Sequence, residues 1–324
     1  MSKIVEKKKT LKEGEMIQLC YDEAFKIMFA NSDHLEVLTM LLSKILKIDY
    51  SLLEGNVELE PLSVSKKQIG EKKSERDVLV SLKYDKDYKI IMEVNVRNGF
   101  YQSVIDRNLY YTFQSAGHVL KEKETYDNMP YTFLINFNTF FVNRNKRNIF
   151  EEFTLQDKYG MILSEKYKVL NINIAECYNL WYDNKYQGMF EPLVEDLVLL
   201  CASMMVSREE DFKKIIEMVQ IKPEIKLLME GMIREMSHDE KLVTEYTYWK
   251  DENERINASI ISEVKTNALK EGLEQGIKEG LEQGIKEGVS KTVINMHQDN
   301  LSLKLISKYT NLSVEEIKNI IDNK

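Results

Sequence analysis

Two short β-type runs, each carrying an acid, constrain this chain more than any other stretch. Residues 75 to 82 read Glu75-Arg76-Asp77-Val78-Leu79-Val80-Ser81-Leu82, and residues 89 to 95 read Lys89-Ile90-Ile91-Met92-Glu93-Val94-Asn95. Runs this short and this rich in Val, Ile and Leu favour strands. Tyr84-Asp85-Lys86-Asp87-Tyr88 between them has the length and polarity of a hairpin loop. With Lys83 paired to Lys89, Ser81 faces Ile91, Leu79 faces Glu93 and Asp77 faces Asn95. Alternate residues share one side of a sheet. Asp77, Glu93 and Asn95 therefore converge on one patch, while Val78, Val80, Leu82, Ile90, Met92 and Val94 line the opposite face. Two carboxylates aimed at one spot suit a hard divalent cation such as Mg²⁺, which takes oxygen ligands.

An Asp at the start of one strand, then Glu-x-Lys at the end of the next, is the signature of PD-(D/E)xK nucleases. With an amide in place of that Lys, these residues resemble the Rpn-type recombination-promoting nuclease, or transposase-like, branch. Asp22-Glu23-Ala24-Phe25-Lys26-Ile27-Met28-Phe29 is similar to its opening D-x-x-F-K-x-x-F element. Arg107 and the Tyr110-Tyr111 pair follow the Glu at a matching distance, in an expected helix. The Lys-Glu-Gly-rich tail is also of the kind such proteins carry. The resemblance covers residues 16 to 140 by motif and the tail by composition. It implies a restriction-endonuclease-like α-β-β-β-α-β core that hydrolyses phosphodiester bonds in DNA. It further implies Mg²⁺ held by Asp77, Glu93 and the main-chain carbonyl of Val94. Asn95 stands where the family at large has Lys, and an amide carries no charge and cannot act as a base. The missing positive charge must come from elsewhere, with Lys26, Lys73 and Arg107 as candidates. Glu23, or equally Asp22, is eligible as a first-helix acid near the metal.

The rest of the chain narrows the setting. Cys20, Cys177 and Cys201 lie far apart, with neither metal spacing nor a paired framework, which points to a reducing cytoplasm. No run of about 18 apolar residues exists to span a membrane, and the charged segment from Met1 to Glu15 lacks an apolar signal core. The net charge of -8 counts against a generic nucleic-acid binder. Metal-binding acids contribute to it, and the Lys66-Lys67 and Lys72-Lys73 pairs bring positive charge near the acids in sequence. His34, His118, His238 and His297 are scattered and form no ligand set. Tyr101, Tyr110 and Tyr111 read as core or helix-face aromatics.

Taken in order, apolar spacing predicts helices over 16–30 and 33–47, a strand near 57–62, the central hairpin, a helix over 99–121 and a strand over 131–137. Two further β-type runs, 150–153 and 169–174, either extend the sheet or form an appendage. From 190 to 264 the spacing turns helical, with breaks at Pro223 and at 237–240. The expected division is a nuclease-like domain over 1–175, a helical region over 176–265, a repeat over 266–290 and a helical pair over 291–324.

In the repeat, Lys-Glu-Gly-Leu-Glu-Gln-Gly-Ile occurs twice in tandem, with glycines at 272, 276, 280, 284 and 288. Each glycine costs about 1 kcal/mol against Ala in a helix. The i, i+4 pairs Glu274/Lys278 and Glu282/Lys286 return only about 0.2–0.5 kcal/mol apiece. Packing against a second copy would supply the difference, so a homodimer is expected; the bland alternative is a solvated connector. Near the end, Ser313-Val314-Glu315-Glu316 reads as a capping box. The reading reached is a Mg²⁺-dependent DNA endonuclease. Its rivals are a catalytically degenerate DNA-binding or scaffold member, and a helical interaction protein whose α/β part is structural.

Overall fold

The computed structural model describes residues 10–61, 77–96, 101–117, 125–142 and 148–322, apart from the side chains of 101–104, 117 and several positions between 260 and 271. Two compact units divide the chain, Met1–Lys250 and Asp251–Lys324.

From residue 10 to 21 the first unit is non-helical, in place of the helix expected from 16 onward. Met16 N–H bonds to Ser207 O and Cys20 N–H to Met204 O. These bonds hold Met16, Ile17 and Leu19 fully buried on non-helical backbone. Helix α1 spans only Asp22–Phe29, with Ala24, Phe25, Met28 and Phe29 inward. Helix α2 (Leu35–Leu46) ends on Lys47 in the left-handed region, and a single turn, α3 (Tyr50–Leu53), leads into the sheet.

Six strands form that sheet: β1 (Val57–Leu59), β2 (Val78–Lys83), β3 (Asp87–Asn95), β4 (Tyr131–Asn138), β5 (Phe150–Gln156) and β6 (Ile162–Asn173). Their order is β1-β2-β3-β4-β6-β5. Strands β1, β2 and β3 pair antiparallel, whereas β3–β4 and β4–β6 are parallel. Helix α4 (Tyr101–Gly117) supplies the crossover between β3 and β4 that a parallel pair requires. The two later β-type runs do extend the sheet, as a long β5–β6 hairpin.

The hairpin register differs from expectation by two residues. Lys83 pairs with Asp87, not Lys89, and Val78 with Met92, because the turn is tighter than a five-residue loop. Since the side-chain period is two, an even slip leaves every residue on its expected face. Val78, Val80, Leu82, Ile90 and Met92 join the main core with α1, α2 and the later helices. On the other face, Leu79, Ile91 and Leu134 pack with Tyr111 of α4.

Helices α5 (Ile174–Tyr182), α6 (Pro192–Ser203), α7 (Glu209–Met218) and α8 (Pro223–His238) follow. They share the first core, so the residues around 176–250 belong with the sheet. Lys44 of α2 is fixed among them by Asp196 Oδ2 at 2.6 Å. Helix α9 runs Glu240–Gln298; its first turns enter the core through Tyr246, fully buried and stacked 5.7 Å from Trp249.

In the second unit the repeat is helical. Leu273, Ile277, Leu281 and Ile285 are 60–65 % exposed, and a Cβ added at any of the five glycines would meet nothing. Gln275 bonds to Glu279 and Gln283 to Glu287. These, and not the expected Glu274/Lys278 and Glu282/Lys286, are the i, i+4 pairs described. Helices α10 (Leu303–Thr310) and α11 (Val314–Asp322) close a small core of Val293, Ile306 and Ile317. The capping box forms, with Ser313 and Glu316 bonded reciprocally.

Candidate active site

Strand pairing puts the two acids side by side. Val78 lies opposite Met92, so Asp77, one residue before β2, comes level with Glu93 on β3. Both are nearly buried, at 9 % and 5 % exposure. Val94 N–H donates to Asp77 Oδ2 at 2.9 Å, which fixes that carboxyl against β3. Asn95 is also buried and lies two residues beyond Glu93 on the same face.

Helix α1 brings a second set of charges. Lys26 Nζ sits 2.9 Å from Asp22 Oδ2 and 3.7 Å from Asp77 Oδ1. Asp22 and Asp77 share a hydrogen bond. Glu23 stays at the exposed rim, 3.8 Å from Lys26. Asp22 is therefore the first-helix acid that meets Asp77. Phe25, fully buried and 5.5 Å from Phe137 of β4, anchors the helix to the sheet.

The electrostatics of this cluster are unbalanced. Burial pushes the Asp77 carboxyl well above the usual carboxylate range, helped by its bond to Asp22 and the negative charge of Glu93. Burial also opposes ionisation of Asp22, but bonds to Asp77 and Lys26 outweigh it and hold that group low. Burial likewise disfavours the Lys26 charge, and Asp22 reverses the effect. Among the described residues one ammonium, Lys26, thus serves Asp22, Glu23 and Asp77, and the Asp77 carboxyl holds its proton more tightly than a free one. A hard cation beside Asp77 and Glu93 would favour the ionised carboxylates, so the oxygen donors present fit one. Among the described residues, no three His, Cys, Asp or Glu side chains group as a metal site. Among the described side chains, Asp77 and Glu93 are the oxygen donors here that could hold such a cation, which would need main-chain oxygen and water besides.

Helix α4 carries Arg107 to Asn95. Its guanidinium donates through Nη2 to Asn95 Oδ1, so a cation stands against the Asn95 amide. Lys73, Lys66, Lys67, Lys72, Arg76, Arg97 and His118 lie outside the described residues, as does the side chain of Tyr101. Tyr110 is exposed, and Tyr111 packs on the small apolar cluster beneath α4.

Sequence reasoning missed several neighbours. Asn136 and Asn138 on β4, and Asn171 and Asn173 on β6, are all buried beside Glu93 and Asn95. The signal was present in Leu134-Ile135-Asn136-Phe137-Asn138 and Leu170-Asn171-Ile172-Asn173. Amides alternating with large apolar residues at a strand's end place polar groups on one face of an interior strand, where burial is expensive.

Comparison with known proteins agrees with this geometry. Residues 19–257 match the family described as PD-(D/E)XK nuclease family transposase, a span that takes in nearly all of the first unit. No curated protein and no solved structure matches the chain. An α/β core with paired acids on adjacent strands, together with a match over most of the sequence, assigns the chain to the PD-(D/E)XK nuclease family transposases.

Proposed function

We propose that the chain is a Mg²⁺-dependent DNA endonuclease of the recombination-promoting type. The observation that carries this reading is the buried Asp77–Glu93 pair at neighbouring strands, whose mutual repulsion and burial raise the Asp77 carboxyl. Asp77, Glu93 and the Val94 carbonyl would hold the ion. A divalent cation bound there polarises a scissile phosphate and lowers the pKa of a water. Asn95 and Arg107 together replace the family lysine: the amide orients, and the guanidinium supplies charge near the scissile phosphate. Lys26 neutralises the acids between turnovers. Glu23 and Lys73 remain supporting candidates.

The nuclease chemistry belongs to residues 1–175, with 176–265 as its helical buttress, and 291–324 forms a separate helical pair. The repeat over 266–290 joins two copies, because its exposed Leu/Ile row and bare glycines leave an apolar, closely approachable face. Three free, buried cysteines suit a reducing cytoplasm. Among the described residues no helix is long and apolar enough to cross a membrane.

The test is nicking of supercoiled plasmid by purified protein with Mg²⁺, and its arrest by EDTA. Cleavage that needs the metal and disappears in Asp77→Ala supports the reading. DNA binding without cleavage would favour a degenerate binding member, and neither activity would leave a helical interaction protein.

A further inference from the structure

A polar row crosses five of the six strands, on the face that α4 covers at β3 and β4. Register places Asp77, just before β2, abreast of Glu93, Asn136, Asn171 and Glu151 on β3, β4, β6 and β5, with Asn95, Asn138 and Asn173 in the next row. All eight are at most 9 % exposed. The row before them is apolar: Leu79, Ile91, Leu134 and Val169. The buried side of α4 also carries polar groups, Asn108, Thr112 and Ser115 at helical spacing, with Thr112 Oγ1 donating to Asn108 O inside the helix. Burying an amide against an apolar sheet is unfavourable unless every group finds a partner. A polar layer of this size therefore needs a reason beyond packing.

The sense of the hydrogen bonds supplies one. A guanidinium has donors only, so Asn95 must turn Oδ1 towards Arg107. Its NH₂ group then needs acceptors, and meets Asn138 Oδ1 at 3.0 Å and Asn136 Oδ1 at 3.4 Å. Those two amides have their own NH₂ groups left over, and both donate to Asn171 Oδ1, at 2.9 Å and 3.4 Å. Every carbonyl in the chain thus looks back towards the cation. Reversing one amide would set donor against donor or acceptor against acceptor.

We propose that Asn136, Asn138 and Asn171 are positioning residues, a one-way amide relay that locks the Asn95 rotamer so that Arg107 is held at the acids. The proposal rests on the nuclease reading for its catalytic consequence, though not for the physical coupling itself. Asn173 stands outside the relay, because its Oδ1 instead caps α5 by accepting from Glu176 N–H at 2.9 Å.

A cycle of full-length variants tests it. Outer residues that orient an active-site group typically change activity about 10–100-fold. Asn138→Leu should therefore lower kcat for plasmid nicking by that factor, with little change in the DNA concentration at half-maximal rate. Asn171→Leu, one link further on, should do the same. In an Asn95→Lys background the strand itself carries the cation, and Asn138→Leu should lose less than a third as much. Equal losses in both backgrounds would mean a purely structural role and overturn the proposal. Asn138→Asp, isosteric but unable to donate onward, serves if the Leu variant fails to fold. Should the wild type not cleave DNA, the nuclease reading fails while the relay is still decided by melting temperature. Coupled sites predict that Arg107→Leu and Asn138→Leu together lower it by less than the sum of the single changes, and additive shifts would refute the relay.

Discussion

Asp77 carries the clearest trade between stability and chemistry. Its carboxyl is desolvated, bonded to Asp22 and crowded by Glu93. Residues held this way cost folding stability and persist for function. Asp77→Asn keeps the shape and removes the acid. It should melt no lower than wild type without metal, while nicking falls to background; calorimetry beside a plasmid assay checks both halves. Adding Mg²⁺ should separate the two proteins further. A ligand at 100 times its dissociation constant stabilises the native state by about 2.7 kcal/mol. Wild type should show an upward melting shift that EDTA abolishes, and Asp77→Asn should show none.

Helix α1 and the central hairpin show what individual elements contribute. Only α1 brings Asp22 and Lys26 to the sheet, and Phe25 is its anchor. Truncating a fully buried Phe removes contact area and leaves a cavity, at about 3–5 kcal/mol. Phe25→Ala should lower the urea midpoint accordingly, and activity should fall with it even where the protein remains folded. Spacing showed where the apolar residues of this segment would go but not the backbone beneath them. Met16, Ile17 and Leu19 are as buried as a helix face would make them, yet they lie on non-helical chain bonded to residues near 204 and 207. Those partners are almost two hundred positions away, beyond the reach of local periodicity. The hairpin was legible in the way that matters for the site. A two-residue error in register moved Asp77 from Asn95 to Glu93 without changing its face. The β4 and β6 amides escaped notice because neither segment holds an acid or a cation at its end, and only strand order reveals that they adjoin Glu93.

At the scale of the molecule, the family match and the first compact unit end within seven residues of one another, at 257 and 250. A chain ending after Thr266 keeps both. It should therefore retain the wild-type melting temperature while losing self-association. Sedimentation at micromolar concentration checks this: the full chain should run as a dimer and the shortened one as a monomer, and two monomers would reduce the repeat to a connector. The glycine helix has one more property. Starting a helix is its slow and unfavourable step, since several residues must be fixed before the first bond closes. The repeat never meets that step. Its helix arrives already wound from the turns around buried Tyr246 and leaves into turns held by Val293. Glycines that would leave a free peptide as coil need only be added, one bond at a time, to helix present on either side. Elongation takes nanoseconds per residue, so a stretch that opens in the middle of the segment can heal inward from both ends.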